Sequence, residues 1–221
     1  MEEDQRTSVP ARYGLLLITL IAAYLVSAVT STRWGGAIHV AFVAAVALLA
    51  VRHTRPWPPT AWLAAAALLA TGVAAGLGAA SESKLAMGLA DCWDGLVLLL
   101  AVVVIIGRVL RLDQVTAQSI YGALSAYLLI GLMFAGWFAA IASFVAGPFF
   151  ADGQPVSTAN VQYFSFTTLT TLGYGDFTAA GSFGRAVAVL EAISGQVFLA
   201  TLVARLVSAY GTSRRQRPPG E

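Results

Sequence analysis

Charge is what this sequence has least of. Only 13 Lys+Arg and 11 Asp+Glu are spread over 221 residues, 11% of the chain, about half the fraction that solvates the surface of a soluble domain. The formal net charge is +2 and no basic cluster is interleaved with aromatics, which excludes a nucleic-acid surface. The single cysteine, Cys92, excludes an intrachain disulfide framework and a Cys/His metal cluster; it reads as a small apolar residue on a buried helix. Lysine is almost missing, with Lys84 the one lysine among 13 cations. Together with the abundant alanine, that points to a bacterial source. A cationic secretory start is also lacking, because MEEDQRTSVPARYG is acidic and then mildly basic. Residues 1–12 therefore read as a cytoplasmic tail before a retained helix, with a cleaved signal as the alternative.

What the chain has in excess is apolar surface: 58% of it is hydrophobic, at a mean hydropathy of +0.76. The apolar residues gather in runs of about 20, the length that matches a bilayer's hydrocarbon thickness. The reading is an all-α integral membrane protein. Six spans are expected, at Tyr13–Val29, Trp34–Val51, Ala61–Ala80, Leu85–Leu110, Gln118–Val145 and Phe183–Ala209. Arg55-Pro56-Trp57-Pro58-Pro59 punctuates the second connection, and Trp34, Trp57 and Trp62 stand at span ends where headgroups suit an amphipathic ring. With a cytoplasmic amino terminus, one side collects Arg6, Arg12, Arg52, Arg55, Arg108, Arg111, Arg205, Arg214, Arg215 and Arg217. The other side receives Arg33, Lys84 and Arg185. That bias predicts both termini in the cytoplasm and a multi-pass protein of the plasma membrane.

The segment from Gly147 to Ser182 then begins and ends outside. Gly147-Pro148 closes the fifth span, Asp152-Gly153-Gln154-Pro155 is a turn, and Ser157 or Thr158 caps a helix from about Ala159 to Leu169. A helix so short cannot cross, so a re-entrant loop is expected, with its carboxyl end and partial negative charge aimed at the membrane centre. The return limb reads Thr170-Thr171-Leu172-Gly173-Tyr174-Gly175-Asp176. Non-helical backbone at membrane depth survives only inside protein or against a watery cavity. Alternate glycines permit backbone angles closed to other residues, so successive carbonyls can face one axis. Four such limbs would stack rings of oxygen, with the Thr171 hydroxyl as the innermost ring, and replace the hydration shell of a potassium ion. Leu172 and Tyr174 are expected to point outward and pack behind the strand, and Asp176 to stand at the outer mouth within reach of the short helix.

At these residues the chain resembles the potassium-channel pore family, whose filter signature is Thr-Val/Ile-Gly-Tyr-Gly-Asp. The resemblance runs from about Thr116 to Tyr210 and is best over YFSFTTLTTLGYGDF, Tyr163 to Phe177, followed by Gly184-Arg185 and Gly195. The whole chain looks like six-helix bacterial members without cytoplasmic regulatory domains. The resemblance implies K+ coordination by Thr171, Leu172, Gly173, Tyr174 and Gly175, with support from Thr170, Asp176, Tyr163 and Thr167. It also implies a cavity and inner gate lined by Gln196, Leu199, Val203 and Val207. Leu172 stands where the family has Val or Ile, and Thr167 where some bacterial relatives carry a glutamate.

Gly195 serves either as a bend of the inner helix or as a point of close packing. Glu191, one turn earlier, is the unexpected acid of the last span. It is read as a modulatory group bonded to a hydroxyl such as Thr167 or Thr168, against a near-interface acid reaching water. A voltage sensor needs arginines at three-residue intervals through the fourth span. Only Arg108 and Arg111 have that spacing, both at one end, so voltage gating is expected to be weak or missing. Asp91 and Asp94 read as solvated acids at a helix start, or as partners for Arg33, Lys84 or a cation; His39 is given no role.

The expected organisation is a tail (1–12), a four-helix peripheral membrane domain (13–115), a pore domain (116–210) and a cytoplasmic tail (211–221) too short for a nucleotide- or calcium-binding module. Four copies form a homotetramer in lipid, passing K+ passively with no catalysis and no cofactor beyond the permeant ion. A non-selective cation channel and a non-conducting scaffold are the competing readings. Tyr174, intact where non-selective relatives depart, argues against the first, and the complete filter sequence argues against the second.

Overall fold

The computed structural model describes residues 13–29, 83–110 and 115–215, with residue 70 standing alone between the first two stretches. Five helices form there: α1 (Tyr13–Val29), α2 (Lys84–Leu110), α3 (Ala117–Phe144), α4 (Thr158–Leu169) and α5 (Ser182–Arg215). Among the described residues, α2, α3 and α5 are long and apolar enough to cross a membrane, whereas α1 is apolar but shorter. The expected span Trp34–Val51 and, apart from Ala70, the span Ala61–Ala80 lie outside the described residues, as do Trp57, His39, Arg33, Arg52, Arg55, Arg111, the amino-terminal tail and residues 216–221.

Unbroken apolar sequence makes these segments helical because a helix satisfies every backbone group internally, as hydrocarbon demands. Their ends are set by side chains. Thr116 and Ser119 form a reciprocal capping box at the start of α3, with Ser119 Oγ accepting the Thr116 N–H at 2.7 Å and Thr116 Oγ1 accepting the Ser119 N–H at 3.4 Å. At the other end α3 stops at Phe144, with Val145 already extended, before Gly147-Pro148 is reached. The last helix runs on to Arg215, past the expected Ala209.

α2 lies antiparallel to α3: Gly88 meets Phe144, Gly95 sits under the Trp137 indole, and Gly122 meets Val109. Lipid tails are as apolar as leucine, so burial alone does not join these helices; close van der Waals contact does. A Cβ on Gly95 would overlap the Trp137 ring. Asp94 beside it is buried and Asp91 half-buried, which corrects the reading of Asp94 as a solvated acid. Cys92, expected to be buried, is half-buried and free.

α1 starts beside the start of α3, where the Tyr13 N–H donates to Gln118 Oε1 at 3.0 Å. Its far end reaches α4. Tyr24 and Phe166 form an edge-to-face pair at 4.8 Å, and Ser27 is hydrogen-bonded to the Gln162 side chain at 2.6 Å in a fully buried contact. Nothing in the sequence signalled that the first helix touches the short one. Ser27→Ala leaves the buried Gln162 amide without this partner. The expected result is a loss of roughly 1–3 kcal/mol of stability, read as an earlier thermal transition of the purified protein; an unchanged transition would show the contact to be idle.

Candidate functional site

α4 has 12 residues, about 18 Å at 1.5 Å each, too short to span. Ser157 Oγ accepts the Asn160 N–H at 3.2 Å and so caps its start, while Asn160 Nδ2 ties back to the Pro155 carbonyl at 2.8 Å. The last four carbonyls of any helix lack intrahelical partners, and here each finds one. Phe166 O accepts from the Thr170 N–H and hydroxyl, Thr167 O from the N–H groups of Leu172 and Gly173, and Thr168 O from the Thr171 N–H. Leu169 O accepts the Tyr127 hydroxyl of α3 at 3.3 Å. The helix end and the limb that follows are therefore one hydrogen-bonded unit.

Along that limb φ is +57° at Thr171, +50° at Gly173 and +84° at Gly175, with negative values at Thr170, Leu172 and Tyr174 between them. Glycine adopts positive φ freely. For threonine the left-handed region costs about 1–2 kcal/mol, so Thr171 is the strained position, and strain of this kind gathers at functional sites.

Three contacts hold the outer end. An antiparallel bridge joins the segment after α3 to the segment after the limb, with Ala151 N–H to Thr178 O and Ala180 N–H to Phe149 O both at 2.8 Å. Gln154 Nε2 donates to the Asp176 carbonyl at 2.7 Å. The Asp176 carboxylate accepts the Tyr163 hydroxyl. Desolvation first, then this bond and repulsion from Asp176 and Tyr174, hold the Tyr163 phenol above its usual range. Phe177 packs on Tyr163 at 5.5 Å and on Phe150 at 4.9 Å, extending a cluster of Phe138, Phe149, Phe150 and Phe164 behind the limb.

Leu172 and Tyr174 are 54% and 69% exposed, so the described residues of one chain leave most of their surface uncovered. On α5, Gln196, Val203 and Val207 are exposed and Leu199 is half-buried. Gln196 Nε2 stands 3.4 Å from Thr171 Oγ1, bringing the last helix to the inner end of the limb. At Gly195 an added Cβ would fall on the Leu169 carbonyl oxygen, so close packing accounts for this glycine directly.

Glu191 is fully buried, which removes the reading of an acid reaching water. Its partner is neither Thr167, whose hydroxyl donates to the Phe164 carbonyl at 3.0 Å, nor Thr168, but Ser165 on α4. Ser165 was legible in principle. Val161, Gln162, Ser165 and Leu169 recur at helical spacing, a pattern that puts Ser165 among the candidates, but Thr167 is buried as well and the packing alone turns Ser165 to Glu191. Among the described residues no group of His, Cys, Asp and Glu is placed to hold a metal ion.

A family described as ion channel matches residues 130–211, which hold the end of α3, all of α4, the strained limb and most of α5. No curated protein and no solved structure matches the chain. Over those residues the chain is similar to ion channels, and its long apolar helices make it a multi-pass membrane protein.

Proposed function

We propose that the chain is one of four identical subunits of a potassium-selective channel, with residues 171–175 forming the filter. The observation that carries this is the sign of φ, positive at Thr171, Gly173 and Gly175 and negative between. A row of carbonyls turned to one side requires such alternation in a non-helical strand. Rings of these oxygens take the place of water around K+. Strain at Thr171 and the use of three of the four α4 end carbonyls, those of Phe166, Thr167 and Thr168, to hold the limb fit a strand kept rigid against its own preference.

One chain supplies one wall of such a ring. The faces that remain uncovered are those a fourfold neighbour would bury: Leu172 and Tyr174 on the limb, and Phe183, Leu190, Ile193 and Val197 on α5. Heterologous contacts that close by rotation yield this kind of ring. Gln196, Leu199, Val203 and Val207 would line the cavity beneath, and Gly195 packs the last helix against the filter's support. α2 carries cations only at its ends, Lys84 and Arg108, and Arg111 follows just beyond it. Too little charge then crosses the field for strong voltage dependence.

The test is reconstitution of purified protein in a planar bilayer under opposed K+ and Na+ gradients, with the mass of the assembly measured in parallel. The current is expected to reverse near the K+ equilibrium potential, from a tetramer, with open probability nearly flat as voltage is stepped. Equal passage of Na+ would establish the non-selective reading; a monomer without current would establish the scaffold.

A further inference from the structure

Three oxygen atoms meet where α3, α4 and α5 converge. Ser165 Oγ lies 2.6 Å from the Gly131 carbonyl oxygen of α3 and 2.5 Å from Glu191 Oε1 of α5, and both side chains are fully buried. Two contacts this short each need a proton between the oxygens. Serine has one to give, the peptide carbonyl none, and an ionised carboxylate none. The second proton can come only from the Glu191 carboxyl. The geometry points to Glu191 as a neutral acid that donates to Ser165, which donates in turn to the Gly131 carbonyl, so that a single relay pins three helices together.

The surroundings agree. The influences on the Glu191 carboxyl are burial and the Ser165 hydroxyl, and among the described residues no cation stands opposite it. From α3 the titratable side chain that faces it is Tyr127, whose hydroxyl is engaged with the Leu169 carbonyl. α4 turns Ser165 toward it, while the titratable group of that helix, Tyr163, is bonded to Asp176 instead. A bare carboxylate in such a place is far costlier than a carboxylic acid. Oε2, buried with no hydrogen-bond partner among the described residues, is then the acid's carbonyl oxygen rather than half of an uncompensated charge.

Glu191 is thus a positioning residue acting through Ser165. α4 is held at this hydroxyl, and at Leu169 against Gly195 one turn further along α5, so any movement of α5 reaches the helix that supports the filter. This last consequence rests on the channel reading; the proton count does not.

Infrared difference spectroscopy of the purified protein and E191Q tests the proton. A carboxylic-acid carbonyl band is expected in the wild-type protein, absent from E191Q and shifted in S165A, where its acceptor is gone. Single-channel recording tests the role. Glutamine can donate in the same place without charge, so E191Q keeps K+ selectivity and open probability within about twofold. E191A and S165A each break a buried hydrogen bond, and so lower the conducting fraction about tenfold, the equivalent of about 1.4 kcal/mol. A missing band, or E191Q behaving like E191A, would overturn the proposal. A band present in a channel that passes Na+ freely would uphold the relay and remove the filter reading instead.

Discussion

Replacing Gly173 with alanine is expected to abolish selective K+ current while leaving the helices folded. The reason is backbone conformation, since among the described residues nothing lies within 4 Å of a Cβ built at this position and there is no clash to relieve. Gly173 sits at φ +50°, where a side-chain-bearing residue loses about 1–2 kcal/mol. Thr171 two residues earlier already carries that cost, so the strand has little tolerance for a second strained position. In the proposed tetramer four such limbs share one ring, and the penalty reaches roughly 4–8 kcal/mol per assembly. At about 1.4 kcal/mol per tenfold, fewer than about one filter in a thousand keeps all its carbonyls in place. Gly181 supplies the control, having open space around its Cβ position and no positive φ; Gly181→Ala is expected to conduct as the wild type does. The measurement is K+/Na+ reversal potential together with circular dichroism. A selective Gly173→Ala channel would mean that the alternation of φ is incidental.

The helices were readable because membrane burial leaves one solution for an unbroken apolar run. Tyr13–Val29 agrees with the sequence reading at both ends, and Ser157 caps α4 one residue before the helix begins. The same logic fails where a contact depends on facing rather than on composition. Ser165, Thr167 and Thr168 are equivalent as letters, and only the packing of α4 decides that Ser165 is the hydroxyl turned toward Glu191. The Ser27–Gln162 contact joins residues 135 apart in sequence, with no local pattern to announce it. Thr171 runs against propensity altogether. β-Branched residues avoid positive φ, so its backbone could be expected only from the function assigned to the strand, never from the residue itself.

Gly195 offers the second large effect, because its two readings predict opposite outcomes for one substitution. A glycine that bends a gate should yield, as alanine, a well-assembled protein with altered open probability, alanine being the better helix former. A glycine that permits contact should yield a poorly assembled one. The structure places the Leu169 carbonyl oxygen where the new Cβ would go, with Leu169 Cδ1 a further 2.9 Å neighbour. The side chain could move aside. The carbonyl cannot, because it closes the end of α4 and holds the Tyr127 hydroxyl. Gly195→Ala must therefore push α5 off α4 at an overpacking cost of about 1–3 kcal/mol per subunit, with the strain falling one turn from the Ser165–Glu191 contact. The expected result is an assembly that falls apart at a markedly lower temperature and conducts little. Adding Leu169→Ala, which removes the Cδ1 neighbour but not the oxygen, should leave that defect in place. An assembly of Gly195→Ala as heat-stable as the wild type, with only its gating changed, would return this glycine to the role of a bend.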